Sequence, residues 1–364
     1  MRFTVISVAY PFAPVGIDSI GGAEQILSLL DRELVRRGHR SIVVACEGSK
    51  TAGMLLATPA ADGVLTEEER SKIQRQHRRT LERALELHPD ADLVHMHGID
   101  FDKYLPPPGV PVLVTLHLPA SWYSPQVFEI ARPQTHLHCV SASQQRACPA
   151  GTPLLDDIPN GVPVDELSFR CGKRRYVIAL GRICPEKNFH VAMDAATRAG
   201  FPLILGGEVF PYPSHLEYFR RQIVPRLTSG HRFLGPLGFA RKRRLLSGAR
   251  CLLNPSLAPE TSSLVAMESL ACGTPVVAFP SGALPDIIDH GVTGFVVRHE
   301  QEMADAVDAA GALDPESCRA TARRRFSLEA MVQRYLDSYQ QMITASPPPP
   351  PPDFYHGGQH ATLC

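Results

Sequence analysis

The chain has 364 residues, 44% of them hydrophobic, and its 37 Lys plus Arg are balanced by 37 Asp plus Glu. That length exceeds a usual single domain and predicts two, each with enough apolar residues for its own core. A formal net charge of zero gives no electrostatic footprint for nucleic acid or an acidic polymer, so nucleic acid is excluded as an expected partner.

In chain order, "FTVISVAY" (3–10) reads as a buried strand. A loop with Pro11, Pro14 and Gly16 follows, then a helix over "GGAEQILSLLDRELVRRGH" (21–39). Ile26, Leu29, Leu30 and Leu34 keep helical spacing there, and Gly38 is the expected stop. "SIVVAC" (41–46) is the next strand. This order predicts a right-handed βαβ unit of a parallel sheet. "ERSKIQRQHRRTLERALEL" reads as helix, and 92–98, 110–117 and 135–143 as buried strands. "IPNGVPVDEL" (158–167) is turn-rich and marks the connection between domains. Beyond it the programme restarts. Strands "RRYVIALGRI", "FPLILGGE", "HRFLGPLG", "RCLLNPS" and "TPVVAF" alternate with helices "NFHVAMDAATRAG", "HLEYFRRQIVPRL", "ARKRRLLSGA" and one ending near Gly273. "SLEAMVQRYLDSYQQMI" (327–343) is a last amphipathic helix.

The expected fold is therefore α/β, with two doubly wound domains facing each other across a cleft. The expected limits are 1–163, 164–326, a final helix over 327–344 that crosses back to the first domain, and a Pro-rich disordered tail over 345–364. Nine cysteines, an odd number without a C-x-x-C, predict a reduced, cytoplasmic chain with no disulfide framework or zinc module. "MRFTVISVAYPF" is too short an apolar run for a signal peptide. No stretch reaches about 18 uninterrupted apolar residues, so attachment is expected at most to the inner membrane face.

Two segments can carry chemistry. In "SLAPETSSLVAMESLACGTPVVAF" (256–279), Glu260 sits in a loop and Glu268 inside the following helix. Thr261, Ser262 and Ser263 are good N-cap types, and the helix start offers N–H groups to a phosphate. Two solvated charges are the bland alternative. "GRICPEKN" (181–188) follows a strand directly, at the sheet edge where open α/β folds bind ligands. Arg182 and Lys187 there can neutralise a diphosphate.

Together, "GRICPEKN" and "APETSSLVAMESLACGTPVVAFPSGALPDIIDHGVTGFVV" resemble the retaining glycosyltransferases of family 4, which adopt the GT-B fold. The E-x7-E element is Glu260 to Glu268. "GGAE" (21–24), "VTLHLP" (114–119), "CVSAS" (139–143) and "IPNGV" (158–162) stand in the family's order, and the likeness runs over residues 3 to 343. The resemblance implies transfer of a sugar from a nucleotide-diphosphate sugar to a hydroxyl acceptor with retention, without metal or other cofactor. UDP is the expected donor nucleotide, because it is the commonest in such enzymes. Arg182 and Lys187 would hold the diphosphate as leaving group. Glu268 would bind the ribose. Glu260 would face the transferred sugar, beside the N–H groups of Ser262, Ser263 and Leu264. Gly21 and Gly22 would bring the first loop close to the donor. His117 would contact the sugar near the reacting carbon, and Gly235 and Leu237 would pass the base. The family often has glycine near Ser262 and Ser263, and Ser or Thr and Gly at the slots of Cys184 and Asn188. The acceptor would be a glycan, a lipid-linked sugar or a small metabolite.

The sequence also admits other readings. A nucleotide-sugar epimerase or hydrolase on the same fold is the alternative enzyme. A two-domain sugar- or nucleotide-binding module is the non-enzyme reading. Asp90–Asp92 and Asp100–Asp102 spell D-x-D, which a metal-dependent transferase of another fold would use. His95 and His97 share one strand face with no third metal ligand evident, and His97 is a candidate acceptor contact. His136 and His138 read as structural. Ser141 and Ser143 lack a nucleophile elbow. The basic stretches 70–83 and 241–244 read as solvated helix faces, the first a candidate for docking on anionic lipid.

Overall fold

The β-branched runs near the N-terminus form parallel strands because both faces are covered. In β1 (Thr4–Val8), Val5 enters the apolar cluster on one side of the sheet and Ile6 the cluster on the other. The computed structural model describes residues 2–345 apart from 62, 64, 228 and 229. The proline-rich tail expected from 345 onward lies, beyond its first residue, outside the described residues.

After β1 come α1 (Gly22–Arg36), β2 (Arg40–Cys46), β3 (Met54–Thr58), α2 (Glu67–Leu87), β4 (Leu93–Met96), β5 (Val112–Leu116), β6 (Thr135–Cys139) and α3 (Ala142–Arg146). The first sheet runs β3-β2-β1-β4-β5-β6, all parallel. α4 (Val164–Leu167), β7 (Val177–Leu180), α5 (Phe189–Arg198), β8 (Leu203–Gly206), α6 (Pro213–Tyr218), β9 (His231–Phe233), α7 (Phe239–Gly248) and β10 (Leu252–Asn254) follow. Then come α8 (Leu264–Ala271), β11 (Val276–Ala278), α9 (Leu284–Ile287), β12 (Gly294–Val296), α10 (Glu300–Ala310), α11 (Pro315–Arg325) and α12 (Leu328–Ala345). The second sheet runs β12-β11-β10-β7-β8-β9, again all parallel. Each sheet thus reverses direction between its first and fourth strands, and ligands of such sheets bind at that point.

Several local expectations change. β3 is an additional strand; it lies at the sheet edge and is only half buried, which blurs its pattern. The run 135–143 ends as a strand at Cys139, and Ser141 caps α3 by accepting from the Gln144 N–H. The helix expected over 215–227 starts as α6 and continues as a wide π turn over Phe219–Ile223 and a 3-10 turn over Val224–Arg226. Pro225 has no N–H for the regular ladder, which explains the change.

Two strands of chain join the halves and lie side by side. Val162 donates to the Phe326 carbonyl at 2.9 Å and accepts from the Leu328 N–H at 3.0 Å. α12 then packs on the first sheet: Met331, Val332, Tyr335 and Tyr339 share a buried cluster with Phe3, Val5, Ile26 and Leu30. Among the described residues, no helix is long and apolar enough to cross a membrane.

Candidate active site

All strands of the second sheet point the same way, so the loops after β7 and β10 emerge together at its switch point. The loop after β7 carries Arg182 and Lys187; the loop after β10 carries Glu260 and leads into α8. Asn188 caps the turn in a left-handed conformation, φ 55°, which asparagine tolerates better than most residues. Glycine would satisfy the same backbone. Gly282, φ 55°, lies directly on the backbone of Glu260, where a Cβ would collide. Its neighbour Ala283 donates to the Glu260 carbonyl at 2.7 Å. The loop holding Glu260 is thus pinned from behind.

Two ammonium–carboxylate pairs flank the start of α8. Lys187 Nζ stands 2.5 Å from Glu260 Oε1, with side chains 24% and 11% exposed. Lys242 Nζ stands 2.5 Å from Glu268 Oε1, with side chains only 11% and 5% exposed. Charges this far from water are retained only when paired. The second carboxylate oxygen of Glu268, Oε2, is buried without a partner, and so is the Ser262 hydroxyl. Unpaired buried acceptors are costly, so these two atoms are poised for a ligand. Arg182 lies with its guanidinium 5.9 Å from the centre of the Phe210 ring.

The helix start differs from expectation. No side chain caps α8 at Ser263. Thr261 turns away and donates to the His117 carbonyl across the cleft, at 2.7 Å. Ser263 Oγ accepts from Asn254 Nδ2 at 3.2 Å. Basic stretch 241–244 is not simply a solvated face either. Lys242 lies one turn before the fully buried Leu246 and points inward with it. Lys242 is the site residue that composition hides; its i,i+4 relation to Leu246 is the one local signal for it.

The first sheet supplies the opposite wall. Gly21 is the N-cap of α1, and the Glu24 carboxyl folds over it. Burial pushes that carboxyl up. A Cβ on Gly22 would touch Leu264 at 3.4 Å, so this glycine brings α1 against the start of α8. Asp18 Oδ1 reaches over and accepts from the Phe239 N–H at 2.6 Å, capping α7 from the other domain. Leu237 lies over Gly206, and the Gly235 carbonyl accepts from the Gly207 N–H at 2.9 Å, so both sit at the end of β8.

His117 follows β5 and is 8% exposed. Its Nε2 lies 3.0 Å from His97 Nδ1. The His97 and His95 rings lie 4.1 Å apart and tilted by 41°, and His95 bonds Tyr339 Oη and Thr115 Oγ1, each at 2.7 Å. Burial pulls His117 down to about 3 and His138 to about 4. His95 and His97 are held well below the usual range for the same reason. The wall is therefore neutral imidazole at ordinary pH. His97 is 2% exposed and stands behind His117, with its Nε2 buried and without a hydrogen-bond partner. α12, crossing back, sets Tyr335 and Tyr339 against His95.

The remaining candidates are spent elsewhere. Asp92 accepts from the Thr4 N–H and Asp90 pairs with Arg40. Asp100 accepts from Gln74 and Tyr104, and Asp102 pairs with Lys103. His138 bonds Thr115 at 2.6 Å. Lys72, Arg75, Arg79 and Arg83 line an open groove on α2.

Residues 20–166 match the family described as glycosyltransferase family 4, and residues 174–311 match glycosyl transferases group 1. The chain belongs to the family 4 type of glycosyltransferases. It is similar to D-inositol 3-phosphate glycosyltransferases of Mycobacterium tuberculosis and Mycobacterium bovis, with 34% identity over 199 residues. That match covers 50% of this chain and 39% of those relatives, so the chain spans well under two thirds of their length. Among solved structures it resembles a sucrose-phosphate synthase of Thermosynechococcus elongatus (TM-score 0.74, 18% identity, 94% of this chain and 100% of that one). It also resembles the Anabaena HepE protein in complex with UDP and glucose (TM-score 0.71, 18% identity, 93% and 100%). A glycosyltransferase of avilamycin A biosynthesis gives TM-score 0.69 at 22% identity, with 94% and 99% covered. These likenesses establish the GT-B fold of this family 4 chain.

Proposed function

We propose that this chain transfers a sugar from a nucleotide-diphosphate donor to a hydroxyl acceptor, with retention and without a metal ion. The observation that carries the reading is the pair of buried ammonium–carboxylate contacts around the start of α8, with Glu268 Oε2 and Ser262 Oγ left unpaired between them. Arg182 and Lys187 supply the positive charge at the leaving diphosphate, the place where charge develops in the transition state. Lys187 then shares its donors between Glu260 and the diphosphate. Glu268 offers Oε2 to the ribose hydroxyls while Lys242 holds Oε1. Glu260 and the N–H groups of Ser262 to Leu264 face the transferred sugar. Gly21 and Gly22 let the first loop close on it. Gly235 and Leu237 border the base. His117, neutral, hydrogen-bonds a sugar hydroxyl near the reacting carbon.

In the transfer step the bond from the anomeric carbon to the diphosphate oxygen breaks. The bond to the acceptor oxygen forms on the same face, and the acceptor proton passes to the departing diphosphate. UDP is the proposed donor nucleotide; the Anabaena protein holds UDP in its complex. Between the halves, Ser141, Arg146 and Asp157 face Ser262, Met267 and Asp286 around a cleft of about 430 Å³. The acceptor would enter from the N-terminal side. The basic face of α2 would dock on anionic lipid; salt-insensitive or absent liposome co-sedimentation ends that part.

A thermal-shift screen against UDP-, GDP-, ADP- and dTDP-sugars tests the whole. One donor class should stabilise the protein, and Lys187→Ala and Glu268→Ala should each abolish that shift. If neither changes it, the site is wrong. NMR of the product should show the donor's anomeric configuration; inversion refutes retention.

A further inference from the structure

The turn that carries Arg182 and Lys187 holds a second cluster that the transfer chemistry does not use. Cys184 Sγ, a Glu186 carboxylate oxygen and a His215 ring nitrogen all lie within 4.8 Å of one another. They come from two separate elements, the turn after β7 and the first turns of α6. Cys184 is fully buried, Glu186 is exposed and His215 is 8% exposed. The thiol lies 3.5 Å from the Arg182 carbonyl and also against the Glu186 carboxylate. The imidazole stacks on Phe210 at 6.3 Å and meets Tyr212 edge-on at 5.1 Å, which fixes its plane. Its Nδ1 is buried with no hydrogen-bond partner.

We propose that Cys184, Glu186 and His215 form a binding site for a thiophilic divalent cation of the zinc class. The donor set is one sulfur, one oxygen and one nitrogen, the borderline mixture zinc accepts, and three protein ligands leave a fourth position open. The charges close: a thiolate, a carboxylate and a neutral imidazole offset a dication. On binding, the thiol proton leaves to solvent and sulfur bonds the metal. No electron transfer is involved. The odd cysteine number and the lack of a C-x-x-C argue against a zinc module in the sequence; the site needs only one cysteine, with its partners brought by the fold.

Titration of the chelator-treated full chain with Co²⁺ tests the site by absorption, without any activity readout. A sulfur-to-cobalt charge-transfer band should grow, saturate at one ion per chain and bleach on addition of Zn²⁺. Cys184→Ser should abolish the band. Glu186→Gln and His215→Ala should weaken the apparent Zn²⁺ affinity on the order of tenfold or more. Circular dichroism without metal checks each variant's fold, and exposed Glu186 gives a variant that leaves the core untouched. No band in the unaltered chain, a band that survives Cys184→Ser, or unchanged affinity in Glu186→Gln and His215→Ala overturns the proposal.

Discussion

The two walls of the cleft stand on sheets of the same strand order, yet they are built from opposite chemistry. The C-terminal wall presents ammonium and carboxylate groups in buried pairs, Lys187–Glu260 and Lys242–Glu268. The N-terminal wall presents neutral His117, with His97 and His95 behind it and tyrosines of α12 beyond them. The fold supplies the place and the direction of the loops; it does not supply the charge. The division suits a reaction in which one wall holds an anionic leaving group and the other approaches the sugar without adding charge.

The widest expected gap between the walls is in turnover. Lys187→Ala should lower kcat/KM by on the order of 10²–10³, while His117→Asn, which keeps a neutral hydrogen-bonding group, should cost about tenfold. Steady-state kinetics with the donor found by the screen decides; equal losses would erase the distinction.

Next in size is stability on the charged wall. Lys242→Met leaves the Glu268 carboxylate buried and unpaired and should cost about 3 kcal/mol in urea unfolding. The double change Lys242→Met with Glu268→Leu should recover most of it. A single variant as stable as the parent would show that this pair is solvated.

The neutral wall should reveal itself in acid. His117 and His138 hold folded values of about 3 and about 4, below the ordinary 6.5 of an unfolded histidine. The unfolded chain therefore takes up the proton first. Their stability contribution is complete above pH ~6.5 and drains away as pH falls toward the folded values. The slope is at most about 1.4 kcal/mol per pH unit for each such group. His117→Asn should flatten the denaturation free energy between pH ~6.5 and ~4; an unchanged slope places the proton uptake elsewhere.

The smallest effect concerns the backing helix. Tyr339→Phe removes the partner of His95 Nδ1, 2.7 Å away, and should cost about 1 kcal/mol. A loss confined to stability, with kcat unchanged, fits a supporting role.

Much of this architecture was readable in the sequence. Both alternating strand–helix runs and the placing of Arg182, Lys187 and Glu260 in loops after strands follow from periodicity and from the edge rule for parallel sheets. The half-buried edge strand β3 was not, because weak burial leaves weak patterning. Thr261 reads as a cap and instead donates its hydroxyl to the His117 carbonyl of the facing domain. His95 reads as one more strand residue, yet it is bonded by a helix far along the chain, through Tyr339 at a separation of 244.

The sequence by itself determined the faces: which side chains leave each strand toward a core, and which loops gather at one sheet edge. Only the tertiary structure decided the partners. Lys187 and Glu260 are 73 positions apart, and Lys242 and Glu268 are 26. In "SLAPETSSLVAMESLACGTPVVAF" the two glutamates look alike, yet each meets a different lysine. Periodicity fixes the direction of a side chain along its own element. Which charge it meets depends on how separate helices and loops stack on the sheet, and no local pattern records that distance.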